Sequence, residues 1–173
     1  MWDFFETVRN RHSVRRYEPG MSVEHEKLHA ILETATAAPS AGDLQAYRIF
    51  VVTDAERRKQ LVQFSPRHAF IAEAPVCMVF CADPQRSIAT FGEQAGKMFA
   101  IQDTTIVASY AQLAAVAAGL ASAWVGAFEA QGIADLLEIP AAVEPISLIT
   151  IGYPAELPEL TPRRALTEIV DFL

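Results

Sequence analysis

From Ile106 to Val125 the chain runs for about the length of a bilayer span without one charged residue, so whatever fold forms has to bury that stretch. A membrane crossing is the first candidate and a poor one. The segment is mostly alanine and carries Ser109, Gln112, Gly119 and Ser122, so its transfer into lipid is weakly driven, and no Lys- or Arg-rich flank sets an orientation. A helix apolar on every side is also what the centre of a globular protein uses. Its small side chains let other elements approach closely, which predicts a core helix, beginning at Phe91 or later and ending near Gly119, that also suits a subunit interface.

The remaining composition agrees with a buried core. With 173 residues, 51% hydrophobic and 20% charged, the chain is read as one domain, 1–173, that folds without staples. The net charge of -7 and pI near 5.1 argue against nucleic acid or an anionic membrane as partner, because tracking phosphates requires positive charge over a broad face. No basic, apolar and cleavage-site succession opens the sequence, so a cytoplasmic protein is expected. Cys77 and Cys81 lie in the apolar run Val76–Ala82, which has the length of a buried strand. At about 3.3 Å per residue they would share a face yet stand about 13 Å apart, too far for a disulfide or a shared metal.

Helices and strands alternate along the rest. Asp3 and Glu6 form a plausible capping pair for a helix carrying Phe4, Phe5 and Val8. Ser22 can cap a second helix with the stripe Leu28, Ile31, Leu32 and Ala35, stopped by Pro39. A strand is expected over Arg48–Thr53, a polar helix over Asp54–Phe64, and strands over Val76–Ala82, Ser122–Val125 and Ile146–Tyr153. A helix across Ala130–Leu137 and an extended tail from Pro154 complete an α+β order.

Several chemistries are absent. The glycines never take the spacing of a dinucleotide fingerprint or a phosphate-cradling loop, and no serine sits in a nucleophile elbow. His25 and His29 are spaced for one helix face but have no third ligand nearby, so no metal is expected. What stands out is Arg9, Arg11, Arg15 and Arg16, four arginines within eight residues of an acidic chain. Arg11-x-Ser13-x-Arg15 offers guanidinium forks and a hydroxyl suited to a phosphate on a mononucleotide or phosphorylated cofactor. The competing reading is a set of surface ion pairs with Glu6, Glu18 or Glu24.

Four separated segments together resemble the nitroreductase family of FMN-dependent oxidoreductases. They are Arg11-His12-Ser13-Val14-Arg15, the loop Pro39-Ser40-Ala41-Gly42-Asp43-Leu44-Gln45, the run from Asp103 through Gly119-Leu120 to Trp124-Val125-Gly126, and Ile151-Gly152-Tyr153-Pro154 with the closing Arg163-Arg164. The resemblance implies a three-layer α/β/α homodimer around a central, mainly antiparallel sheet. It also implies ping-pong electron transfer from NADH or NADPH to a nitroaromatic, quinone or similar flat acceptor. Other flavin chemistry on the same fold, or a non-catalytic flavin sensor, is the alternative.

By the same resemblance, Arg11 and Ser13 with Arg164 would hold the FMN phosphate, and His12 would add a contact there. Arg15 would lie at the N1/O2 edge of the isoalloxazine, where positive charge favours the reduced flavin. Pro39, Ser40 and Ala41 would come from the partner subunit, while Val125 and Gly126 would bring backbone close to N5/O4. No side chain is expected to act as a catalytic acid, base or nucleophile, since flavin N5 would carry the chemistry. Asp43 replaces the family's usual Asn and is read as a loop-stabilising acceptor. Trp124 is read as core packing behind the flavin. Phe91, Met98 and Phe99 are candidates either to roof the flavin or to fill the core.

Overall fold

A computed structural model describes residues 3–159 and 161–173. Its centre is a four-stranded sheet of β1 (Tyr47–Val52), β2 (Val76–Ala82), β3 (Ala121–Val125) and β4 (Glu144–Gly152). The spatial order is β1-β2-β4-β3, and every neighbouring pair is antiparallel. The long uncharged stretch becomes the end of α6 (Glu93–Ala117) together with all of β3. No helix among the described residues is long and apolar enough to cross a membrane.

Strand β2 shows why three layers form. All its residues are buried, and its pleat sends Cys77, Val79 and Cys81 to one face and Val76, Met78 and Phe80 to the other. The first face packs on α3 (Ala55–Leu61), α4 (Phe70–Glu73) and α7 (Ala130–Leu136) through Leu61, Phe70, Ile71 and Ile133. The second packs on α2 (His25–Thr36) and α6 through Ile31, Ala35, Val107, Ala111 and Ala115. The two cysteines share a face as expected, are free, and have their thiols pushed up to about 12 by burial.

Helix α1 (Phe4–Asn10) carries the expected capping box between Asp3 and Glu6. Helix α2 differs from expectation: it starts after Glu24, which makes no side-chain cap bond, instead of at Ser22. Helix α4 and helix α5 (Gln85–Phe91) are additions to the expected order. Helix α5 is held hard against α6, because a Cβ on Gly96 would sit 2.7 Å from the Ile88 backbone. The Ser87 hydroxyl donates to the Gly96 carbonyl at 2.8 Å across the same contact.

Candidate functional site

The arginine segment, residues 11–17, is fastened to the sheet by its main chain. Ser13 bridges Ser122 in parallel, and Val14 N–H donates to the Ser122 carbonyl at 3.0 Å. Tyr17 bridges Pro154, Glu18 N–H donates to the Tyr153 carbonyl and Ala155 N–H to the Arg16 carbonyl, each bond 2.9 Å long. The buried Tyr17 hydroxyl donates to the Val14 carbonyl at 2.9 Å and shares a 2.6 Å bond with Thr150 Oγ1. Burial raises this phenol far above its ordinary range, so it stays neutral. Gly152 leaves room for the ring: a Cβ there would come 2.8 Å from Tyr17 and 2.6 Å from Pro75.

An extended segment alternates its side chains, so Arg11, Ser13 and Arg15 are separated from their even-numbered neighbours. Val14 enters the core, and His12 lines a cleft with Asn10, Val14 and Leu157. No ion pair joins Arg9, Arg11, Arg15 or Arg16 to a carboxylate among the described residues, and Glu24 is taken by Lys27 and Tyr153 instead. Half-buried Arg11 is held below the ordinary arginine range by desolvation and then by the charge of Arg163. A like charge from the opposite end of the chain thus acts on Arg11, while Arg163 itself donates to the carbonyls of Thr161 at 3.0 Å and Pro162 at 3.5 Å. Arg164 is occupied locally, with Nε 3.6 Å from Glu168 Oε2 and a second nitrogen donating to the Glu168 carbonyl at 2.6 Å.

The loop from Pro39 to Gln45 is built differently. Gly42, Asp43 and Gln45 have φ values of 58°, 55° and 50°, a left-handed backbone unusual for the two residues that carry a Cβ. What holds it is Asp103, a carboxylate on α6 only 2% exposed, which accepts the N–H of Ala41 at 2.9 Å and that of Ala46 at 3.4 Å. Ser40 Oγ accepts from Gln45 N–H at 3.0 Å, and Arg86 Nε donates to the Leu44 carbonyl at 3.0 Å. Asp43 is exposed and takes no side-chain hydrogen bond among the described residues, so the acceptor expected at 43 stands at 103. An acid beside the uncharged run of α6, ten residues after Glu93 at the helix start, was the sequence signal for it. No hydrogen bond joins this loop to the arginine segment among the described residues.

Val125 and Gly126 lie at the end of β3, Val125 buried and Gly126 exposed. Trp124 packs on the α2/α6 side of the sheet, in agreement with a core role. Phe91 and Phe99 meet edge to face at 4.8 Å, and Phe91 closes over Gly42, where a Cβ would come within 3.0 Å. Met98 is exposed. No cluster of three metal-ligating side chains occurs among the described residues.

With this arrangement established, the comparisons agree. The nitroreductase family model matches residues 8–66 and 60–153. The chain belongs to the nitroreductase family. It is 32% identical over 179 residues to an FMN reductase [NAD(P)H] of Bacillus subtilis, covering 94% of this chain and 70% of the relative. Nitroreductase A of Vibrio parahaemolyticus superposes with a TM-score of 0.90 at 28% identity, covering 99% of this chain and 75% of that one. The NADPH:FMN oxidoreductase of Vibrio harveyi, solved with NAD+, gives 0.89 at 27%, covering 98% and 73%. The fold is accordingly the nitroreductase α+β fold on its antiparallel sheet.

Proposed function

We infer that this chain is an FMN-dependent NAD(P)H oxidoreductase of the nitroreductase type. The observation that carries the reading is the half-buried Arg11, desolvated, joined to no carboxylate among the described residues and two positions from Ser13, because a desolvated guanidinium is best satisfied by an anion beside it. A phosphomonoester fits that donor set. Arg11 and Ser13 bind it, and the tail completes the cage through Arg164 or its neighbour Arg163, which are now bonded locally to Glu168 and to the Thr161 and Pro162 carbonyls. His12 adds a backbone or ring contact beside them. Arg15 places positive charge at the N1/O2 edge, and Val125 and Gly126 border the reactive face with little side-chain bulk.

When bound, FMN supplies two-electron transfer from NADH or NADPH to a nitroaromatic, quinone or similar flat acceptor in ping-pong order. The chain's own residues orient the ring, supply charge and exclude water.

The functional unit is a homodimer in which Pro39, Ser40 and Ala41 of one subunit meet the flavin of the other. Supporting this, the loop is tied to α5 and α6 and not to the arginine segment of its own chain. Apolar side chains also remain exposed on α1 (Phe4, Phe5), on α6 (Met98, Ile101, Tyr110) and on the tail (Leu166, Ile169, Val170, Phe172). Two buried, unbridged cysteines suit a cytoplasmic setting.

The visible spectrum tests the reading. The purified chain is expected to be yellow, or to become so with FMN, and to bleach anaerobically with NADH or NADPH. A protein that stays colourless in excess FMN would sink it. Arg11→Ala combined with Arg164→Ala should weaken FMN binding about thirtyfold or more with the fold intact, as expected for lost charge-assisted hydrogen bonds. Arg163→Ala and Arg164→Ala measured singly rank the two tail residues.

A further inference from the structure

Arg15 carries the charge assigned to the flavin ring, and it sits at a break in the main-chain pairing of its segment. Val14 N–H donates to the Ser122 carbonyl on β3, whereas the Arg16 carbonyl and Glu18 N–H pair with Ala155 and Tyr153, beyond β4. The segment therefore changes neighbours at Arg15, whose N–H finds no main-chain acceptor among the described residues. Glu156 supplies one instead: its Oε1 accepts that N–H at 2.7 Å, from 141 positions away. The acid is half-buried and presented from fixed backbone, since Ala155 N–H is bonded to the Arg16 carbonyl and Pro154 bridges Tyr17.

A neutral acceptor would satisfy this donor. A carboxylate does more, because its bond to the amide is charge-assisted and it sets a full negative charge beside the residue whose positive charge the flavin reading uses. That carboxylate makes no ion pair with an arginine, lysine or histidine among the described residues. It is spent on the backbone, so the Arg15 guanidinium is left free to reach a ligand. We propose that Glu156 is the positioning residue for Arg15: its oxygen fixes where that side chain starts from, and its charge offsets part of the positive field at the N1/O2 edge. The bridges on either side persist without it, so its loss loosens Arg15 and not the whole segment. The inference rests on the FMN reading above.

The balance between reduced and oxidised flavin tests it without turnover, because positive charge at the N1/O2 edge favours the anionic reduced ring. The FMN-loaded chain is equilibrated anaerobically with a redox dye, and the ratio of reduced to oxidised flavin is read from the visible spectrum. Glu156→Gln keeps an accepting oxygen and loses the charge, so its ratio should rise about threefold above the wild type, the effect of one partly screened charge. Glu156→Ala loses the acceptor as well, and its ratio should fall about threefold or more below that of Glu156→Gln, because Arg15 is no longer held. A Gln variant no higher than the wild type, or an Ala variant level with the Gln variant, would overturn the proposal; an acid with a merely structural role would lower stability and leave these ratios alike. Arg15→Ala should give the lowest ratio. If it matches the wild type, Arg15 does not face the ring, and the proposal falls while FMN binding stands. A wild-type chain that takes up no FMN overturns the FMN reading itself, and this inference with it.

Discussion

The arginine segment and the Pro39–Gln45 loop are both assigned to one cofactor, and they are held in place by opposite means. The first is secured by several main-chain bonds to β3 and to the segment after β4, with Tyr17 as a bolt through the core. The second has three left-handed residues and hangs on one buried carboxylate, Asp103, with lighter support from Ser40 and Arg86. Shared among many backbone contacts, the placement of the arginine segment tolerates the loss of any one. The loop, concentrated on a single acceptor, does not.

Mutation should separate the two. The largest effect is expected for Asp103→Ala, which orphans the N–H groups of Ala41 and Ala46; about 2–6 kcal/mol of stability should be lost in urea unfolding, at about 1–3 kcal/mol per stranded donor. Flavin retention should fall with it, because the loop relaxes from its strained conformation. Tyr17→Phe should cost less, about 1–2 kcal/mol, since Val14 O and Thr150 lose one partner while the bridges persist. FMN affinity should change less than threefold in this variant, and a collapse of binding would show that the bolt, not the ladder, positions the arginines. The smallest effect is in pH dependence. His68 titrates lower folded than unfolded, through burial and then Arg15 and Arg67. The unfolded chain therefore takes the proton first as pH falls. Stability is full above the ordinary imidazole range and declines through the window down to the lowered value. In His68→Gln that increment of acid sensitivity should disappear from thermal melts recorded between pH 8 and pH 5.

The sheet was legible in the sequence because its signal is local. An apolar run bounded by Pro75 and Asp83 marks β2, and each of the other three strands lies within about two residues of its expected place. Short helices were not legible: Phe70–Glu73 and Gln85–Phe91 are too brief for an apolar period to stand out from a loop. The family segments pointed to the arginine segment and to the loop, but not to what fixes them. Asp103 serves backbone donors 62 and 57 positions away, a pairing no local pattern encodes. His68 carried no motif at all, since its partner Ser65 is tied in turn to the Ala127 carbonyl, near the end of β3 and far away in sequence. Likewise nothing local in the Arg163-Arg164 pair announces what holds each, Glu168 for Arg164 and the Thr161 and Pro162 carbonyls for Arg163.

The cysteines of β2 have a practical consequence. Both thiols are protonated and sit at the middle of the sheet, sealed beneath α3, α4 and α7, so neither presents a nucleophile while the sheet is closed. Alkylating reagents can reach them only when strands part. The rate at which the chain takes up a maleimide is therefore a clock for the opening of its core.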